Sequence, residues 1–233
     1  MCCLTIVKTK DHKVVITHNR DEQMSRQFSS NQLVPEIVSG RKVWMPRDKQ
    51  TLGTWIATDG KMVGALLNGY KLNHVKKDAY KASRGTIIPT LFNSHNSEKF
   101  ISEFDPEGYE PFTLLMVDEE QSLIEYGWDE KNVHIKYLDF LQPYMYSSST
   151  LYNNEVKSQR EMLFHQWIIN DCTENDLWYL HALKGNNHGQ FLNVDYSEEI
   201  STVSISQIIL GTRPLFHYHS LANIVKETIY LLE

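Results

Sequence analysis

The stretch MCCLTIVKTKDHKVVITHNRDE, residues 1–22, decides how the rest of the chain is read. Residues 3–8 and 13–18 alternate as β-type runs. The polar KTKDHK between them, with Lys10 and Asp11, reads as a turn. A hairpin here returns Arg20 and Asp21 to the side of the N-terminus. Position alone makes residue 2 a frayed end, and Cys3 a small buried hydrophobe. A second reading gives residue 2 chemistry. Loss of Met1 frees an α-amine with an ordinary pKa of about 8, on the same residue as a thiol of about 8.5. Nucleophile and base then share one residue, as in N-terminal threonine catalysts.

Such a site needs a carboxylate to orient the amine, a cation to favour the thiolate and a donor for the tetrahedral oxyanion. Asp21 and Arg20 are the right types for the first two tasks. N-R-D-E also reads as a solvated charge cluster at a strand end. Asn68, closing the apolar GALL run, is the right type for the third task. Asn68-Gly69 is equally a good turn pair.

Further along, residues 41–46 read as a short strand. TWIATDGKMVGALLN reads as two β runs joined by Asp59-Gly60, a hairpin signal. Helical spacing runs from Ala82 to Phe104, with Ile87, Ile88, Leu91 and Phe92 on one face and Pro89 in an early turn or at a kink. PFTLLMVD, SLIEYGWD and VHIKYL follow as an antiparallel meander. SSST at 147–150 is a small-residue loop. A helix follows from Glu155 to Ile169, burying Leu163, Phe164, Trp167 and Ile168, and a second spans Glu174 to Lys184. Asn186-Asn187-His188-Gly189 is a loop. TVSISQIIL and FHYHSL return to β. Strand runs segregated from helix runs predict an α+β fold with mainly antiparallel sheets, two of them face to face and each covered by helices. No repeat or low-complexity linker divides residues 1–233, so the chain reads as one domain.

Several short stretches together resemble a known family. They are MC at the start, NRDE at 19–22, LGTW at 52–55, DGKMVGALLNGY at 59–70 and SRG at 83–85. In this order they resemble the NRDE family, also named after transport and Golgi organisation protein 2. That family in turn is similar to the cysteine N-terminal-nucleophile hydrolases, such as penicillin V acylase and bile salt hydrolase. The resemblance implies a four-layer αββα sandwich and cleavage of a linear amide by an autoprocessed N-terminal cysteine. It implies Cys2 as nucleophile, Arg20 as thiolate partner, Asp21 as amine anchor and Asn68 as oxyanion donor. The hydrolases also carry an Asn in a loop that most resembles YSSSTLY at 146–152, where this chain has Ser148 or Ser149. They carry a late Arg, for which Arg213 in LGTRP is the candidate. In relatives a strand follows GTR, whereas here TVSISQIIL precedes it.

Composition narrows the rest. The chain has 233 residues, 41% hydrophobic and 22% charged, enough for one well-buried core. Its 29 acidic and 23 basic residues give a net charge of -6, which argues against nucleic acid or an anionic membrane as the main partner. The three cysteines make no disulfide framework, and no signal peptide or membrane-length apolar run is present. The expectation is a cytoplasmic protein acting on a small acyl-amide or similar molecule, with no cofactor, no metal and no set oligomeric state. His217 and His219 share one strand face and would need a third ligand to hold a metal. The rival to a hydrolase is a non-catalytic lipid, acyl or haem carrier on the same scaffold. A third reading makes Cys2 a redox or haem-ligating thiol.

Overall fold

The first hairpin forms as its alternation predicts. β1 (Cys2–Lys8) and β2 (Val14–Gln23) pair antiparallel, with Cys2 opposite Arg20 and Lys8 opposite Val14. β2 continues past residue 18 to Gln23, so N-R-D-E lies inside a strand rather than at its end. The extension is held by pairing on its other edge, where Gln23 meets Ile200. The fold is that of a computed structural model that describes residues 2–23, 32–120, 122–150, 152–168, 172–184, 192–193, 195–196, 200–221 and 225–231.

β3 (Leu33–Val38) has no counterpart in the sequence reading. It contains Pro35, which an edge strand tolerates. β4 (Arg41–Pro46), β5 (Ile56–Thr58) and β6 (Val63–Asn68) follow as expected. Gly60 turns the last two with φ +92°. The helical stretch expected over residues 82–104 is divided. A 3₁₀ turn at Arg84–Thr86 leads into α1 (Ile87–Asn93), and α2 (Ser97–Glu103) follows after a break. The break has two physical causes: His95 takes a left-handed φ of 70°, and Asn96 caps α2 by accepting the Lys99 N–H at 2.7 Å. Pro89 sits in the first turn of α1, where its missing N–H costs nothing.

The meander is β7 (Phe112–Val117), β8 (Leu123–Trp128) and β9 (Val133–Leu138). β10 (Tyr144–Ser147) takes in the start of the expected small-residue loop. α3 (Asn154–Ile168) and α4 (Glu174–Ala182) are the two late helices. β11 (Asp195–Tyr196), β12 (Ile200–Leu210), β13 (Leu215–Ser220) and β14 (Val225–Tyr230) complete the chain. The loop read at Asn186–Gly189 lies outside the described residues.

Two seven-stranded antiparallel sheets result. One runs β10-β1-β2-β12-β13-β14, with β11 beside β12, and the other runs β3 to β9 in sequence order. Leu4, Ile6, Ile16, Ile208 and Phe216 of the first sheet meet Ile56, Val63, Leu67 and Leu115 of the second in a shared core. α1 and α2 cover the second sheet through Ile88, Leu91, Phe92 and Phe100. Phe164, Leu177 and Leu180 of α3 and α4 cover the first through Cys3, Val15 and Ile209. Leu163, Trp167 and Ile168, expected to be buried, are only partly so, and Arg160 takes a fully buried place on α3. The layers are α, β, β, α, as the sequence reading expected. Among the described residues no helix is long and apolar enough to cross a membrane.

α4 is pinned by a buried histidine. His181 Nδ1 meets Asn19 Oδ1 at 2.8 Å, and its Nε2 meets Thr5 Oγ1 at 2.8 Å. An imidazole that donates to the amide oxygen and accepts from the hydroxyl is neutral. Burial pushes its pKa down to about 3. Between that value and an unfolded pKa of about 6.5, the unfolded chain binds the extra proton, so stability falls as pH drops through this window. Its contribution to the slope is about 1.4 kcal/mol per pH unit. Urea denaturation at pH 7.0 and 4.5 should show that His181→Gln loses about one proton of this slope. An unchanged slope would contradict the assignment.

Candidate active site

Alternation along β2 sends the four residues of N-R-D-E to opposite faces. Asn19 and Asp21 point to the helix layer, whereas Arg20 and Glu22 line a cleft with Cys2. Asn19 is structural: its Nδ2 donates to the carbonyls of His181 (3.0 Å) and Leu192 (2.7 Å). This ties α4 and the following segment to the sheet.

The cleft holds about 160 Å³. Its lining brings together Cys2, Arg20 and Asn68 with Asp48, Trp55 and Arg84. Cys2 is 4% exposed, and burial pushes its thiol pKa up. Arg20 opposes that shift, as a neighbouring cation should. Its guanidinium donates to Asp48 Oδ2 at 2.5 Å, lies 3.5 Å from Glu22 and stacks 4.4 Å over the Trp55 ring. Asp48 is itself fixed, because its Oδ1 accepts the N–H groups of Gln50 (2.9 Å) and Thr51 (3.0 Å). The cation near Cys2 is thus held in one position.

Asn68 ends β6 and is followed by Gly69 at φ +80°, so it is both a strand-end amide and half of a turn. The Ser148 N–H donates to the Cys2 carbonyl at 2.9 Å, and its hydroxyl donates to the Asn68 carbonyl at 2.8 Å. Ser148 therefore clamps the strand of Cys2 to the strand of Asn68. It is not among the residues lining the cleft. Ser149 packs against Gly69, where an added Cβ would lie 2.7 Å from its hydroxyl.

Asp21 lies behind the cleft, on the helix side of β2. It is fully buried and accepts from Tyr152 (2.7 Å) and from the Thr202 hydroxyl (2.7 Å). Burial raises its pKa, while Arg160 and the two hydroxyls oppose the shift. Its charge is felt at the Cys2 thiol. Arg213 is not brought to this site. It is exposed in the β12–β13 connection, beyond the end of β12 where Leu210 meets Val14. Lys8 also pairs with Val14, so that end lies six residues along β1 from Cys2, roughly 20 Å at strand rise.

Asp48, Trp55, Arg84, Tyr152 and Thr202 were not singled out from the sequence. Three of them adjoin stretches that were. Asp48 and Trp55 flank or end LGTW, and Arg84 is the centre of SRG. These two stretches cross: the Thr54 N–H donates to the Gly85 carbonyl at 3.0 Å, and a Cβ on Gly85 would meet Gly53 Cα at 2.6 Å. Only glycine permits that approach. The crossing sets Arg84 on the cleft wall, paired with Glu110 at 3.0 Å and donating to the Pro111 carbonyl at 3.0 Å. Burial lowers its pKa, and the nearby Glu110 and Cys2 oppose the shift.

His217 and His219 sit on β13 beside Trp178. Among the described residues no third ligating side chain joins them.

A family model described as Transport and Golgi organisation 2 matches residues 1–210. The chain belongs to that family. No curated protein matches it. Solved structures similar to this family member include a mutant conjugated bile acid hydrolase from Clostridium perfringens. It has a TM-score of 0.63 and 10% identity, with 99% of this chain and 92% of that chain covered. Penicillin V acylase from Agrobacterium tumefaciens has a TM-score of 0.56 and 9% identity, covering 99% and 86%. At such identities the likeness is one of fold, that of the N-terminal-nucleophile hydrolases.

Two substitutions test how this Transport and Golgi organisation 2 family member builds its site. Gly85→Ala should destabilise by about 1–3 kcal/mol in urea unfolding, because backbone blocks the new methyl. Full stability would mean the two stretches do not cross this closely. Tyr152→Phe should lower stability by about 1.5–3 kcal/mol, since a buried carboxylate loses a donor. A loss below about 0.5 kcal/mol would mean that Asp21 is not held this way.

Proposed function

We propose that the protein is an amidohydrolase of the N-terminal-nucleophile type, acting on a linear carbon–nitrogen bond of a small acyl-amide. The observation that carries this reading is the meeting of Cys2, Arg20 and Asn68 in one cleft. With Met1 attached, burial holds the Cys2 thiol above its ordinary range. Removal of Met1 puts an amine on Cys2's own Cα. That amine accepts the thiol proton as Sγ attacks the carbonyl carbon. Arg20 favours the thiolate, and the Asn68 amide donates to the oxyanion. Asp21 acts on the amine from behind β2, through its charge. The amine then gives its proton to the leaving nitrogen, and a thioester remains on Cys2. Water releases the acid.

The carrier reading asks for more room than this cleft has. A volume of about 160 Å³ equals about five water molecules at roughly 30 Å³ each. A haem or a long acyl chain needs several times that, so a carrier would hold its ligand elsewhere on the surface, and the cleft beside Cys2 suits a small polar reacting group. The three free cysteines suit a reducing compartment, and we place the protein in the cytoplasm.

The test is amine release from an acyl-amide panel. Cys2→Ala should abolish turnover. Asn68→Ala should lower kcat by about 10²–10³ with KM little changed, the signature of a lost oxyanion donor. Undiminished turnover by both variants would overturn the reading.

A further inference from the structure

Next to Cys2 the inner face of the first sheet carries a patch that ordinary packing does not explain. Strand register defines it. Arg20 lies between Cys2 on β1 and Ser204 on β12, and Ser204 faces Ser220 on β13. One step along, His18 lies between Leu4 and Ser206. His18, Ser206 and Ser220 are 0% exposed, and Ser204 is 1% exposed. Both imidazole nitrogens of His18 and all three serine hydroxyls are without a hydrogen-bond partner, as is the indole N–H of Trp55 across the layer. A buried donor or acceptor left unpaired costs about 1–3 kcal/mol. Several side by side point to a polar occupant.

The patch selects the occupant's class. Burial holds His18 neutral, and the serines and the indole are uncharged. The charge of Arg20 is met by Asp48 and Glu22. A buried ion would find nothing here to balance it. Leu4, Ile208, Phe216 and Tyr218 belong to the same apolar core, and water is the smallest polar molecule that could pair with these groups. His18 also stands diagonally across from Cys2 on the same face, a Cα separation of about 7–8 Å. One water spans such a gap between an imidazole nitrogen and a sulfur.

We propose that His18, with Ser204 and Ser206, is a positioning residue that holds the hydrolytic water against the acyl group on Cys2. The inference rests on the hydrolase reading above. In deacylation the water oxygen bonds to the acyl carbon and the carbon–sulfur bond breaks. One water proton returns to the Cys2 sulfur and the other stays on the released acid. His18 orients the water and remains neutral throughout.

The experiment follows an acyl p-nitroanilide in stopped flow, with the full chain and with His18→Leu, His18→Asn and Ser206→Ala. The proposal expects the first-turnover burst of p-nitroaniline to stay within about twofold, while the steady rate in His18→Leu falls tenfold or more. The acyl-Cys2 thioester should accumulate by mass spectrometry. Added hydroxylamine, a nucleophile that needs no held water, should restore turnover, and His18→Asn should recover part of it unaided. Burst and steady rate falling together, or neither changing, would overturn the proposal. Thermal melts decide it independently of turnover. If the patch is dry, Ser206→Ala and His18→Leu remove unpaired groups and should raise Tm by about 2–4 °C each. If water fills it, Tm should stay level or fall. A wild-type chain that releases no p-nitroaniline from any amide would sink the hydrolase reading, and the melts would still decide the water site.

Discussion

The pairing of Cys2 with Arg20 across β1 and β2 is the constraint on which the rest depends. It fixes which face each residue of N-R-D-E occupies. Arg20 and Glu22 go to the cleft, and Asn19 and Asp21 go to the helix layer. A one-residue slip would exchange these roles and put a carboxylate where the guanidinium stands. The register is held from both sides, by β12 along β2 and by the Ser148 N–H on the Cys2 carbonyl.

Charge is arranged around that pairing so that each buried ion has partners. Arg20 is met by Asp48 and Glu22, and Asp21 by Tyr152 and Thr202 with Arg160 nearby. Arg160 lies 3.8 Å over the Tyr152 ring. These contacts hold a cation in front of β2 and a carboxylate behind it. Cys2, at the start of β1, sits between the two. The glycine crossing at Gly53 and Gly85 closes the cleft wall and fixes its second guanidinium, Arg84.

Much of this was legible in the sequence where periodicity was strong. The first hairpin, β5 to β9 and the two late helices follow alternation and helical spacing. Cys2, Arg20 and Asn68 meet because hairpin geometry returns β2 to the N-terminus and a strand end presents Asn68. What stayed hidden depends on tertiary pairing. β3 contains a proline, β10 is short, and β14 (VKETIY) lacks a clean apolar alternation in sequence although its burial alternates. Asp48 and Arg84 gain meaning only when LGTW and SRG cross, which no local spacing encodes. Arg213 looked like a late partner from its motif, yet the β12–β13 turn carries it to the far end of the sheet. Ser148 stands in the loop where the hydrolases carry an Asn, and its hydroxyl donates to the Asn68 carbonyl.

The central claim is that Cys2 becomes a reactive N-terminal residue. Peptide mass spectrometry after brief alkylation at pH 7 tests it on the folded protein. Cys3 and Cys172 are internal standards, since burial pushes their thiols to about 12 and about 11. The account predicts that Met1 is absent and that Cys2 labels well ahead of both. Met1 retained on essentially all of a well-folded sample, or Cys2 labelling no faster than Cys172, would contradict it.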